Sequence, residues 1–309
     1  MNLYRKLEDF PESLHGGALT IGNFDGVHRG HSQIIDRLRQ HASDADGAAI
    51  VFTFDPHPVR LLRPDQAPPP LTWTNRKAEL LSELGIDAMI AFPTNPKFLS
   101  LTSQEFFDQI IVQAIGAKVV VEGPNFFFGK QRQGTVETLK QMCDQNDILL
   151  EIVKPIQHEA EYISSSRIRG LVHDGHVGLA GQLLTRPYRI RGMVTHGAAR
   201  GAKLGFPTAN LDGIDTLIPK DGVYAGSVVI ARRKHLAAIN IGPNPTFGER
   251  AKKVEVHVIN FNESIYGQTI EVDFIQRLRD IRQFESTESL VEQLKQDIAD
   301  ARQVASSKE

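Results

Sequence analysis

The sequence predicts an α/β plus β protein: an N-terminal doubly wound, Rossmann-like parallel sheet, then an antiparallel β domain closed by a terminal helix. Three observations predict it. From residue 18 to about 153, short apolar runs and helical patterns alternate strictly, which argues a parallel sheet with crossover helices. From residue 188, β-type runs follow one another without such helices, which argues an antiparallel sheet or small barrel. At 309 residues the chain is too long for one ordinary core. The expected domains are 1–184 and 185–309, divided near "LLTRPY".

In order, "ALTIG" (18–22) reads as a buried strand, and "HSQIIDRLRQHA" as a helix with Ile34, Ile35 and Leu38 on one face. "AAIVFTF" (48–54) is the next strand, "NRKAELLSELG" (75–85) a helix ended by Gly85, and "DAMIAF" (87–92) a third strand. "TSQEFFDQIIVQAIG" (102–116) is a helix with Thr102 and Glu105 spaced as a capping box. "AKVVVEG" (117–123) and "DILLEIV" (147–153) are strands around a helix near 134–144, and "RPDQAPPPLT" (63–72) is a proline-rich loop. In the second half, "YRIRGMVTH", "GVYAGSVVI", "HLAAINIG", "KKVEVHVIN" and "QTIEVDFI" are strands. The terminal helix carries Leu290, Leu294 and Ile298 at one-turn spacing, so one face is apolar.

The bulk numbers exclude several classes. A net charge of −2 supplies no basic field for nucleic acid. No apolar run approaches the roughly 18 residues of a membrane span, and the N-terminus lacks an apolar signal-like core. A single cysteine, Cys143, forbids an intrachain disulfide and fits a reducing compartment. The expectation is a soluble cytoplasmic protein without nucleic-acid or membrane partners. An oligomer is compatible with the sequence, which specifies none.

The chemistry concentrates at "GNFDGVHRGH" (22–31). Gly22, Gly26 and Gly30 allow close backbone approach. A helix start behind them offers free N–H groups to phosphate, and His28 and His31, three apart, can serve one spot. A glycine turn with two solvated histidines has the same spacing. "ISSSRIR" (163–169) is a second helix start with hydroxyls and arginines, and "EGPNFFFGKQRQG" (122–134) brings Asn125 to the carboxyl end of a strand. A plain N-cap and an apolar loop are the alternatives there. Three candidate loops at one sheet edge favour a phosphate site.

In the second half, Gly197, Gly201 and Gly205 lead with Lys203 into Pro207-Thr208-Ala209-Asn210. Thr208 and Asn210, two apart in an extended segment, point the same way and are hard oxygen donors of the kind Mg²⁺ takes. By pattern alone an ordinary glycine loop is the better reading. In "KKVEVHVIN", Val254, Val256 and Val258 share one face while Glu255 and His257 share the other. By pattern alone that is amphipathic strand with Glu255 in water.

A resemblance reverses both judgements. "GNFDGVHRGH" carries the H-x-G-H of the nucleotidyltransferase superfamily. With "FTFDPHP" (52–58), "GPNFFFG" and "ISSSRIR" it resembles the adenylyltransferase half of bacterial bifunctional riboflavin kinase/FAD synthetases. "LGFPTAN", "GVYAG", "NIGPNPTFG" (240–248), the E-x-H strand and "SIYG" resemble the kinase half, whose fold is a six-stranded antiparallel barrel with a C-terminal helix. The resemblance covers about residues 16 to 300. It implies ATP-dependent phosphorylation of riboflavin to FMN, then adenylylation of FMN to FAD with release of pyrophosphate.

The same resemblance implies the site residues. His28 and His31 neutralise the leaving pyrophosphate. Gly22, Asn23, Phe24, Asp25, Gly30, Ser164, Ser165, Ser166 and Arg167 bind ATP there, and Asp55, His57, Asn125 and Phe126 bind FMN. In the kinase half, Gly192, Gly197, Lys203, Gly205 and Pro207 bind ATP, Thr208 and Asn210 hold Mg²⁺, Glu255 is the general base, and Arg279 and Phe284 meet the flavin. The chain departs from the family pattern with Ser166 for threonine, Thr185 for glycine, and Asn260 and Asn262 for aspartates. Two rivals stand beside this reading: an H-x-G-H adenylyltransferase for another phosphorylated acceptor with a flavin-binding regulatory barrel, and a non-enzymatic flavin carrier.

Overall fold

The computed structural model describes residues 1–159, 161–197, 200–243, 246 and 251–306. The chain forms two compact units, Met1–Pro68 with Trp73–Ser164, and Pro69–Thr72 with Ser165–Glu309. Residues 165–184, which the sequence reading leaves before its divide, thus fold within the second unit.

In the first unit β1 (Asn2–Tyr4), β2 (Ala18–Ile21), β3 (Ala49–Phe54), β4 (Ala88–Phe92), β5 (Val119–Glu122) and β6 (Leu149–Ile152) make a parallel sheet ordered β1-β4-β3-β2-β5-β6. Its helices are α1 (Arg29–Asp44), α2 (Pro58–Leu62), α3 (Thr74–Glu83), α4 (Pro96–Leu99), α5 (Ser103–Phe106) and α6 (Val136–Gln145). Residues alternate between two cores. Leu19, Ile21, Ile50, Phe52 and Val120 face the side of Phe107, Ile111 and Leu139. Ala18, Val51, Met89, Val119 and Val121 face Ile35 and Leu38 of α1 and Leu81 of α3. Burial on both faces is why these strands read as continuous apolar runs.

Two features escaped the sequence pattern. β1 is three residues long, too short to show a period. The helix predicted over 102–116 begins as α, with Glu105 N–H donating to Thr102 Oγ1 at 3.1 Å, but widens to π-type pairing over Phe107–Ala114. The wider pitch buries Phe106, Phe107, Ile110 and Ile111 together.

The chain proceeds from β2 through β3 and β4 on one side, then returns to β5 and β6 on the other, so the switch point lies between β2 and β5. That ladder holds only Ala18–Val119 and Leu19–Val120. Beyond it the two strands part, leaving a crevice at their carboxyl ends, the place where such sheets take ligands. A small hairpin, β7 (Gln157–His158) with β8 (Glu161–Tyr162), follows.

The second unit opens with α7 (Ser165–His173) and α8 (Val177–Leu184). Then β9 (Tyr188–Thr195), β10 (Ala209–Asp212), β11 (Gly222–Ile230), β12 (Arg233–Gly242), β13 (Lys253–Val258) and β14 (Thr269–Arg279) close into an antiparallel barrel ordered β10-β13-β12-β11-β14-β9. A one-turn helix, α9 (Arg200–Lys203), interrupts the expected glycine loop. The terminal helix α10 (Thr287–Ser306) lays Leu290, Leu294 and Ile298 along a cleft in this unit. Of the "NIGPNPTFG" motif, Asn244, Pro245, Phe247 and Gly248 lie outside the described residues.

Candidate active sites

In the first unit the turn between β2 and α1 reverses sharply. Phe24 and Val27 take φ of 45° and 41°, and Gly26 84°. His28 caps α1, and its N–H donates to His31 Nδ1 at 3.3 Å. The two imidazoles stack, centroids 3.7 Å apart and planes 15° from parallel, so the spacing of three brings both rings to one place. His28 is only 5% exposed, which rules out the solvated-histidine alternative for that ring. A Cβ on Gly30 would lie 3.2 Å from the His28 ring and 3.4 Å from the Ile163 carbonyl oxygen. The Phe24 ring flanks His31 at 4.9 Å. Asp25 is buried, and buried Asn23 Oδ1 has no hydrogen-bond partner among the described residues. Stacked imidazoles at a helix N-terminus suit an anion.

Side chains that the sequence reading did not single out support this turn. Lys77 Nζ donates to the Asn23 carbonyl at 2.6 Å and to Thr53 Oγ1 at 3.3 Å. Burial lowers the pKa of its ammonium, while Asp25 and Asp55 act to raise it. Glu122, at the end of β5, accepts the Ile21 N–H at 2.6 Å and so bridges β5 to β2 where the ladder has stopped. Burial holds its carboxyl well above the usual range, against hydrogen bonds from the Ile21 and Gly123 amides.

The remaining first-unit candidates are placed as follows. Asp55 accepts from Thr74 Oγ1 at 2.7 Å and pairs with Arg5 at 3.3 Å. His57 caps α2, its Nδ1 accepting the Val59 N–H at 3.1 Å. Asn125 is exposed. Phe126 is half-buried and stacks on Phe128 with centroids 5.4 Å apart, whereas Phe127 is exposed beneath the Arg132 guanidinium. The apolar-loop reading therefore fits two of the three phenylalanines. Ser164 ends the first unit, and Ser165, Ser166 and Arg167 open α7 in the second.

In the second unit a cleft takes in Thr208, Asn210, Glu255, Asn240, Arg279 and Phe284. Strand register builds its floor. Thr195 pairs with Asn210, Asn210 with Glu255, Glu255 with Asn240, Asn240 with Val223 and Val223 with Arg279. One row across the barrel thus sets Glu255 between two amides, since cross-strand partners share a face. Glu255 is half-buried beside them rather than on a fully solvated face. Gly197 permits this: a Cβ there would come within 2.2 Å of Asn210 Nδ2.

Arg279 is fastened. Its Nε and Nη2 donate to Asp297 of α10 at 2.8 and 2.7 Å, and its Nη1 to the Asp280 carbonyl at 3.0 Å. Its guanidinium lies 5.8 Å from the Phe284 ring, while that of Arg282 lies closer, at 4.7 Å. Gly192 pairs with Ile270 inside the β9–β14 ladder. Lys203, at the end of α9, and Gly205 and Pro207, between α9 and β10, are exposed. Among the described residues, these last four do not line the cleft.

Residues 10–167 match the family model of FAD synthetase, and residues 184–305 that of riboflavin kinase. A bifunctional riboflavin kinase/FMN adenylyltransferase of Pseudomonas fluorescens is 34% identical over 306 residues, covering 99% of this chain and 98% of that one. This chain belongs to the bifunctional riboflavin kinase/FMN adenylyltransferase family. The protein of that name from Bacillus subtilis (strain 168) is 34% identical, covering 92% of this chain and 90% of that one. A crystal structure named as a macrolide-efflux protein from Streptococcus pneumoniae matches with TM-score 0.86 and 34% identity over 97% of this chain and 98% of that one. Among the described residues, no helix is long and apolar enough to cross a membrane.

Within that family frame, the FAD synthetase match takes in the stacked histidines and the serine-rich segment up to Arg167. The riboflavin kinase match takes in the whole barrel row. The sequence reading passed over Lys77, Glu122, Asn240 and Asp297. Lys77 left a signal: it falls three, four and seven residues before Leu80, Leu81 and Leu84, a charge on an apolar face.

Proposed function

We propose that the family's two activities are divided between the two units, FMN adenylylation on the β2–α1 turn and riboflavin phosphorylation in the barrel cleft. One asymmetry carries this reading: stacked imidazoles at a helix start in the first unit, and a carboxylate between two amides in the second. The two reactions need that difference. FMN attacks through a phosphate monoester, dianionic above a pKa of about 6, and requires no base. Its enzyme must align it with the α-phosphorus of ATP and stabilise the departing pyrophosphate. His28, His31 and the α1 N-terminus do the second. Asn23, Phe24 and Asp25 hold the nucleotide, Asp55, His57, Asn125 and Phe126 the FMN. For Ser164 to Arg167 the support is motif resemblance and the reach of the FAD synthetase match.

Riboflavin attacks through an alcohol, which must lose its proton during transfer. Glu255 takes that proton as the 5′-oxygen bonds to the γ-phosphorus of ATP and ADP leaves. Thr208 and Asn210 would hold Mg²⁺; both line the cleft beside Glu255, and their oxygens are of the type the ion prefers. When bound, Mg²⁺ neutralises phosphate charge. Arg279, fixed by Asp297, and Phe284 form the wall that we assign to the flavin. We place both reactions in the cytoplasm, where the buried thiol of Cys143, pushed up to about 12 by burial, stays inert.

Chromatography of flavins after mixing the protein with riboflavin, ATP and Mg²⁺ tests this reading. FMN should appear first and FAD after it. Unchanged riboflavin would overturn Glu255 as base, and FMN without FAD would overturn the assignment of the histidine turn.

A further inference from the structure

The turn that carries Asn23, Phe24 and Asp25 is fastened from beneath at one atom. The Asn23 carbonyl oxygen accepts Lys77 Nζ at 2.6 Å and Thr53 Oγ1 at 3.2 Å. A carbonyl has two lone pairs, so this one is fully engaged and the Asn23–Phe24 peptide plane is fixed. That peptide is trans. In a planar trans peptide the carbonyl and the following N–H point to opposite sides. Because the carbonyl is drawn toward α3, the Phe24 N–H is turned away from Lys77, to the open side of the turn. It donates to no group among the described residues. Phe24 also holds φ at 45°, a conformation that a bulky residue keeps only where its surroundings impose it.

Lys77 is only 8% exposed. Its stem lies on the apolar face of α3, and Asp25 and Asp55 balance its charge. It is therefore placed to act on the protein backbone, not as a solvent-facing cation. We propose that Lys77 is a positioning residue for adenylyl transfer: by holding the Asn23 carbonyl it presents the Phe24 N–H as a donor to the phosphates of ATP. Thr53 assists at the same oxygen. The inference rests on reading this turn as the adenylyltransferase site.

The test compares wild type, Lys77→Met, Thr53→Val and the double variant, each assayed with FMN and ATP and separately with riboflavin and ATP. Riboflavin phosphorylation and the melting of Trp73 fluorescence serve as fold controls, because the single tryptophan is buried in the first unit. Lys77→Met should lower kcat/KM for ATP in FAD formation about 10²-fold, the scale of a misplaced donor, with KM for FMN and riboflavin phosphorylation unchanged. Thr53→Val, which keeps shape and removes one donor, should lose about 5-fold on the same parameter. The double variant should lose no more than Lys77→Met alone, since both act at one oxygen.

Full FAD formation by Lys77→Met would overturn the proposal. So would equal loss of both activities, or losses that multiply in the double variant. If Lys77→Met does not fold, a Thr53→Val variant with an unchanged kcat/KM for ATP would overturn it. No FAD from the wild type would instead overturn the underlying reading of the turn.

Discussion

Gly30 has room for a hydrogen atom and little more. Alanine there meets the His28 ring at 3.2 Å and the Ile163 carbonyl at 3.4 Å, so the ring must shift. Gly30→Ala should therefore lower FAD formation about 10-fold or more and leave FMN formation unchanged, read by chromatography of both flavins. Thr185 presents the opposite case, a β-branched residue held at φ 63° where α8 ends. Left-handed backbone costs such a residue about 1–2 kcal/mol. Part of the gain on relief is offset by the added freedom of glycine in the unfolded chain. Thr185→Gly should raise stability by about 0.5–1 kcal/mol, measured by calorimetry. That His28 and His31 share one place was legible because a spacing of three at a helix start brings two side chains together, whereas Glu255 was singled out through the motif resemblance and not by its spacing. Lys77, Asn240 and Asp297 were not legible, because what each touches is set by partners 54, 15 and 18 positions away, at Asn23, Glu255 and Arg279.

Strand ends explain more of both sites than whole strands do. The sequence patterns located five of the six parallel strands because burial on both faces leaves uninterrupted apolar runs, and they located five of the six barrel strands as β-type runs between turns, leaving β10 as the extended end of a glycine loop. They did not show register, and register is what sets Glu255 between Asn210 and Asn240. Glu122 shows the same limit: it reads as the polar end of a strand, yet it is buried and bridges β5 to β2. Its folded pKa is raised, so the folded state binds the proton more tightly than the unfolded one. Its contribution is then complete below the ordinary glutamate range and is lost as pH rises through the folded value. Trp73 melts of the wild type should fall as pH rises above the ordinary glutamate range, and Glu122→Gln, which keeps the acceptor and cannot ionise, should flatten that fall. Parallel curves for the two proteins would place the pH dependence elsewhere.

At the scale of the whole molecule, we assign to one chain a reaction that needs a base, centred on the barrel cleft, and one that does not, centred on the β2–α1 turn. The change of texture near residue 188 made that duality legible, as did two motif series in order along the chain. The membership of residues 69–72 and 165–184 in the second unit was not legible, because it depends on packing between segments distant in sequence. The most direct test of the division is flavin chromatography of His28→Ala and Glu255→Gln beside the wild type, each supplied once with riboflavin and once with FMN. The account predicts that His28→Ala turns riboflavin into FMN and stops there. It predicts that Glu255→Gln leaves riboflavin untouched but still converts supplied FMN into FAD. Loss of both activities in either variant, with Trp73 fluorescence showing it folded, would contradict two independent sites.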